Sequence, residues 1–91
     1  MPHTHLQREK LIARVRRIRG QADGLEKMLA ADHECGKVLQ QIAAIRGAIN
    51  GLMAEVLEGH IREHLGAPEL SPEQRADEVD QVLSVLRSYL K

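Results

Sequence analysis

One thiol and two imidazoles are the side chains here best suited to chemistry. Cys35 is the only cysteine of the chain, and His60 and His64 lie four residues apart. On a helix that spacing puts both imidazoles on one face, a geometry suited to paired capture of a transition metal. Cys35 falls near the expected start of a helix, where the dipole favours thiolate, the form that binds metals or attacks electrophiles. Helical periodicity continues between the two groups, and 25 residues of helix would separate Cys35 from His60 by roughly 37 Å. No ion or small ligand touches both within one straight helix. A shared site therefore calls for two chains, with Cys35 of one antiparallel helix meeting His60 and His64 of the other. The midpoint of that pairing is Gly47-Ala48-Ile49-Asn50-Gly51, whose small residues allow close backbone approach. The plainer alternatives are a cysteine that packs and a histidine pair on a solvated surface. His5 and His33 have no such partner geometry and read as surface residues.

A second group of residues is basic. Between positions 8 and 19, Arg8, Lys10, Arg14, Arg16, Arg17 and Arg19 stand against Glu9 alone. Between 69 and 80, Glu69, Glu73, Asp77, Glu78 and Asp80 stand against Arg75 alone. A net charge of zero thus conceals a basic beginning and an acidic end. Lys10, Arg14 and Arg17 share one helical face, expected opposite the apolar stripe. Arginine suits phosphate because its fork makes paired hydrogen bonds. The bias of six positive charges to one negative tilts this face towards DNA or RNA as partner, and a solvated helix surface is the alternative. No zinc-finger spacing or clear helix-turn-helix pair is present, so contact would fall mainly on phosphates and DNA shape.

Helices must position these groups. Leu11, Val15, Ile18, Ala22, Leu25 and Leu29 recur at intervals of three and four, predicting a first helix over about 5–30 with Thr4 as N-cap and Gln7 completing a capping box. The stripe resumes through Val38, Ile42, Ile45, Ile49, Leu52 and Val56. It predicts a second helix over about 33–65, opened by Asp32 as N-cap and closed near Gly66 and Pro68. Ser71-Pro72-Glu73-Gln74 carries the N-cap, first-turn proline and capping box of a third helix over about 72–90. The expected fold is all-α, one domain over 1–91, with paired second helices forming an antiparallel helix-bundle dimer.

Composition agrees with assembly. Ninety-one residues with one aromatic, Tyr89, make a marginal monomeric core. A single cysteine favours a reducing compartment. The absence of an apolar run of about 20 residues, and of a signal-peptide pattern, predicts a cytoplasmic chain with no membrane partner. No glycine-rich phosphate loop and no nucleophile–base motif appears, so an enzyme is not expected. A helical metal-storage or assembly module that binds no DNA is the alternative from another class.

Two stretches resemble a known family. Arg14-Val15-Arg16-Arg17-Ile18-Arg19-Gly20-Gln21 is similar to the first-helix signature of the copper-sensing operon repressors, the CsoR/RcnR/FrmR family. The block from Leu39 through Gln40-Gln41-Ile42-Ala43-Ala44-Ile45-Arg46-Gly47-Ala48-Ile49-Asn50-Gly51-Leu52 to Met53 resembles its second helix almost throughout. The resemblance implies an all-helical repressor, usually a tetramer built as a dimer of dimers, that leaves operator DNA when its effector binds. It implies DNA contact at Arg14 and Arg17. It also implies effector positions at His3, Cys35, His60 and His64, the set similar to the nickel/cobalt-sensing branch and pointing to Ni(II) or Co(II). Copper sensors of the family use two cysteines, and this chain has one. Pro2 is shared with the formaldehyde-sensing branch, which implies an alternative without metal: the Pro2 amine, exposed by loss of Met1, condenses with formaldehyde and is trapped by Cys35 of a neighbouring chain. One thiolate with several nitrogens suits Ni(II) or Co(II) better than Cu(I), and Zn(II) would be satisfied by four of these donors.

Overall fold

Apolar residues recurring every three or four positions build helices, and the computed structural model, which describes residues 5–91 with side chains from Gln7 onward, holds three. Helix α1 spans His5–Ala30, α2 spans Cys35–His60 and α3 spans Pro72–Tyr89; a π-helical segment, Ile61–Leu65, follows α2 directly. No strand occurs among the described residues. The expected caps at Thr4 and the groups on Pro2 and His3 lie outside the described residues. Two compact units divide within α2, one ending at Glu55 and the other running from Val56 to Lys91.

In the first unit, α1 and α2 form an antiparallel helical hairpin. Gln41 Nε2 donates to the backbone carbonyl of Gln21 at 2.9 Å, and Arg14 pairs with Glu55 nearer the open end. The apolar stripes split in consequence. Leu11, Ile18 and Leu25 of α1 are partly shielded, as are Val38, Ile45 and Leu52 of α2. Alternate members face outward: Val15 and Leu29 on α1, and Ile42, Ile49 and Val56 at seven-residue spacing on α2. A band wider than one seam has one edge covered and the other exposed.

The link between α1 and α2 corrects one expectation. Asp32 does not open α2; it closes α1. Its φ of 57° is left-handed. The Asp32 N–H bonds to Leu29 O at 3.4 Å, and the His33 N–H to Met28 O at 3.1 Å, the pair of reversed bonds that ends a helix in a Schellman motif. Aspartate is one of the few non-glycine residues that visit this conformation. The next helix then starts at Cys35, with Lys37 and Val38 N–H groups donating to Glu34 O.

The end of the second helical stretch is also irregular. Past His60 the bonding lengthens by one residue, and the Gly66 N–H donates to Ile61 O at 3.1 Å. Gly66 closes the segment near the expected end, with a φ of −82°, outside the left-handed region. Its missing side chain serves a different need, because a Cβ there would lie 2.6 Å from the Arg62 carbonyl oxygen.

Helix α3 starts as its sequence dictates. Ser71 Oγ accepts from the Gln74 N–H at 3.1 Å, Gln74 Oε1 accepts from the Ser71 N–H at 2.9 Å, and Pro72 occupies the first turn. Arg75 donates to the carbonyls of Leu65 and Ala67, the latter at 3.0 Å, tying α3 to the end of the π segment. Val82, 8% exposed, is the one buried hydrophobic side chain among the described residues.

Candidate effector site and nucleic-acid face

His60 ends α2 and His64 lies within the π segment, so the shift from α- to π-type bonding falls between them. The imidazoles stack with centroids 4.3 Å apart and planes inclined by 20°. Both face one carboxylate of α3. His60 Nε2 is 3.3 Å from Glu78 Oε2, and His64 Nδ1 is 3.9 Å from Glu78 Oε1. Glu78 Oε2 is buried, and no hydrogen bond is directed to it. It lies 3.3 Å from His60 Nε2 without an aligned donor, and the contact is an ion pair only when that imidazole is protonated. A carboxylate at one nitrogen of an imidazole fixes ring orientation, as around metal-bound histidines. The pair and its carboxylate fit a nitrogen-rich metal site in that respect.

Glu78 was not foreseen from the sequence, where it belongs to an acidic run. A usable signal existed: positions 75, 78 and 82 follow three–four spacing, and Val82 is the buried residue of the helix. Arg75 and Glu78 are therefore polar residues on an inner face, which demands partners.

Cys35 is the first residue of α2, exposed and in no disulfide, at the opposite end of that helix from His60. One chain therefore brings His60 and His64 together and leaves Cys35 apart. Among the described residues, no three His, Cys, Asp or Glu side chains gather where one ion could be held. His33 is exposed.

The basic face is less uniform than its spacing suggests. Lys10 and Arg17 are exposed. Arg14 instead leans over α2, with Nη2 at 3.0 Å from Glu55 Oε1. Its position, three residues past Leu11 and four before Ile18, flanks the covered face of α1 rather than opposing it.

Residues 7–88 match the family described as metal-sensitive transcriptional repressor. The chain belongs to that family. It is 50% identical over 91 residues to the transcriptional repressor RcnR of Salmonella paratyphi B, with full coverage of both chains. An uncharacterised protein from the region 5′ of bioA in Serratia marcescens is 60% identical over 91 residues, again covering both chains in full. A solved structure, a glutamate-to-histidine variant of the formaldehyde-responsive regulator FrmR from Salmonella enterica serovar Typhimurium, matches with a TM-score of 0.89 and 45% identity, covering 97% of this chain and 99% of that one. Members of the metal-sensitive repressor family are regulators and not enzymes, in line with the missing catalytic set. Among the described residues no helix is long and apolar enough to cross a membrane.

Proposed function

We propose that this repressor binds operator DNA through Lys10, Arg14 and Arg17 and releases it on binding Ni(II) or Co(II) at His3, Cys35, His60 and His64. The observation that carries the metal assignment is the stacked His60–His64 pair, backed by Glu78. Two adjacent imidazoles and one thiolate make a borderline donor set that favours Ni(II) or Co(II) over Cu(I). Bound metal would supply the charge and coordination demand that draw these donors together; the chain supplies their order and spacing. Zn(II) is a weaker candidate effector, because four donors would satisfy it without recruiting the remainder.

The site is proposed to form between chains of a homodimer, with Cys35 from one and His60 and His64 from the other. Opposite placement on α2 motivates this assembly, and so does the outward stripe of Ile42, Ile49 and Val56. A single chain with one buried hydrophobic side chain among its described residues has little core of its own. Two such dimers would make the tetramer that the resemblance implies, working in the cytoplasm.

A second effector, formaldehyde, is favoured by Pro2 and by the likeness to the formaldehyde-responsive FrmR. In that chemistry the Pro2 secondary amine adds to the aldehyde carbon, loses water, and the Cys35 thiolate attacks the resulting iminium carbon. No metal takes part, and His64 has no necessary role.

The deciding experiment titrates Ni(II), Co(II), Zn(II), Cu(I) and formaldehyde against the protein–operator complex and follows dissociation. His64→Glu exchanges imidazole for a harder oxygen donor, so nickel and cobalt responses weaken while any formaldehyde response persists. Cys35→Ala abolishes both. Release of the wild type by formaldehyde alone would overturn the metal assignment. Failure to bind duplex DNA in a salt-dependent way would instead favour the storage or assembly alternative. Mixed Cys35→Ala and His60→Ala chains test the interchain arrangement, since each hybrid dimer regains one intact site.

A further inference from the structure

Arg14 is the member of the basic face that is already engaged. Its Nη2 lies 3.0 Å from Glu55 Oε1, and the two side chains are 41% and 44% exposed. Its Nη1 sits 3.0 Å from the point where a Cβ on Gly51 would be, so glycine at that position lets the guanidinium lie across the α2 backbone. One terminal nitrogen is thus turned to a carboxylate and the other to a helix backbone. Those same nitrogens would form the paired bonds of an arginine fork on a phosphate. Lys10 and Arg17, one turn to either side, are exposed.

We propose that Glu55 is an electrostatic latch, holding Arg14 down on α2 in the DNA-free protein and setting how tightly the repressor grips DNA. The inference rests on the assignment of Arg14 to DNA contact. Phosphate and Glu55 are both anions, so they compete for one guanidinium, and Arg14 must leave Glu55 before its fork can close on DNA. A half-exposed ion pair is weak enough for a phosphate to displace. The latch therefore lowers affinity without blocking binding. Glu55 acts through Arg14 and does not itself touch DNA.

The test is a double-mutant cycle read as DNA affinity of the effector-free protein. The probe is a duplex enriched by the wild-type protein from a random pool, measured over several salt concentrations with a scrambled duplex for comparison. Glu55→Gln removes the charge with little change of shape, and Glu55→Ala removes any residual amide bond to Arg14. Both variants are expected to bind about two- to five-fold more tightly than wild type, the range of a half-exposed ion pair. In an Arg14→Ala background the same substitutions should change affinity less than about 1.5-fold, because no latch remains to open. Equal tightening in both backgrounds would reveal general repulsion between Glu55 and DNA and overturn the latch. Weaker binding by Glu55→Gln would overturn it too, making Glu55 a residue that presents Arg14 to DNA. Unchanged affinity on loss of Glu55, with Arg14→Ala still weakening binding, would sink the latch alone. No effect of Arg14→Ala on wild-type affinity would remove the DNA role of Arg14 and the latch with it.

Discussion

The hairpin that ends at Glu55 and the unit that starts at Val56 hold their polar side chains by different means. In the hairpin, two regular helices meet along a seven-residue pattern, and the polar ties across them include Gln41 to the Gln21 carbonyl and Arg14 to Glu55. Beyond Val56 the backbone changes hydrogen-bond period at Ile61, and charged side chains brace the result. Arg75 holds the carbonyls of Leu65 and Ala67, and Glu78 faces two stacked histidines. Regular repetition suits a surface offered to another helix. A π-type turn, which is frequent at functional sites, instead re-aims a side chain by a fraction of a turn. Here the re-aimed residue is His64, part of the proposed effector site.

The sharpest way to break this contrast is to remove the brace. Arg75→Ala deletes two charge-assisted hydrogen bonds to part-buried carbonyls, which should cost about 2 kcal/mol of stability. Urea unfolding at fixed protein concentration measures the loss. Amide exchange should accelerate around 61–67 while the hairpin amides retain their protection. Equal acceleration throughout would mean that the two units share their stability and that the contrast is one of appearance only.

A smaller effect is expected at Glu78. Glu78→Gln keeps the shape and removes the charge that faces both imidazoles. Loss of such a carboxylate behind a ligand histidine weakens metal binding about 10-fold or more, equivalent to about 1.4 kcal/mol. Calorimetric titration with Ni(II) at constant pH reads this directly. Undiminished affinity would reduce Glu78 to a packing residue and leave His60 and His64 oriented by the π segment alone.

The same division decides what was legible in the sequence. Apolar periodicity announced three helices, and the Ser71–Gln74 box announced the start of α3, because both signals are local. The π segment was not legible: lengthening a bond by one residue changes no composition, and Ile61–Leu65 continues the pattern of a helix end. Arg75 and Glu78 left a trace in their three–four spacing to Val82, but which groups they meet is supplied by tertiary structure. On the basic face, the spacing of Arg14 from Leu11 and Ile18 already set it beside the apolar stripe, but its partner Glu55 and the opening at Gly51 come from tertiary structure. Cys35 and His60 stand at opposite ends of α2, as helix length alone requires, and their proposed role as donors awaits the titrations above.

The smallest expected effect lies at Asp32, where one residue type fits two opposite jobs. Aspartate is favoured before a helix as an N-cap and tolerated after one in the left-handed conformation. Its φ of 57° and the bonds from Asp32 and His33 back to Leu29 and Met28 assign it to the end of α1. Glycine would relieve the left-handed strain, worth about 1–2 kcal/mol, but would also enlarge the freedom of the unfolded chain, which takes back about 0.4–1 kcal/mol. Asp32→Gly should therefore stabilise the protein by at most about 1.6 kcal/mol, seen as a rise of a few degrees in Tm at fixed protein concentration. Asp32→Asn, also tolerant of this conformation, should change little. A fall in Tm for both variants would show that the carboxylate itself is needed, through attraction to the positive end of α2 just downstream. Asp32 would then belong to the start of the second helix as well as the end of the first, and the hairpin turn would rely on charge as the segment beyond Val56 does.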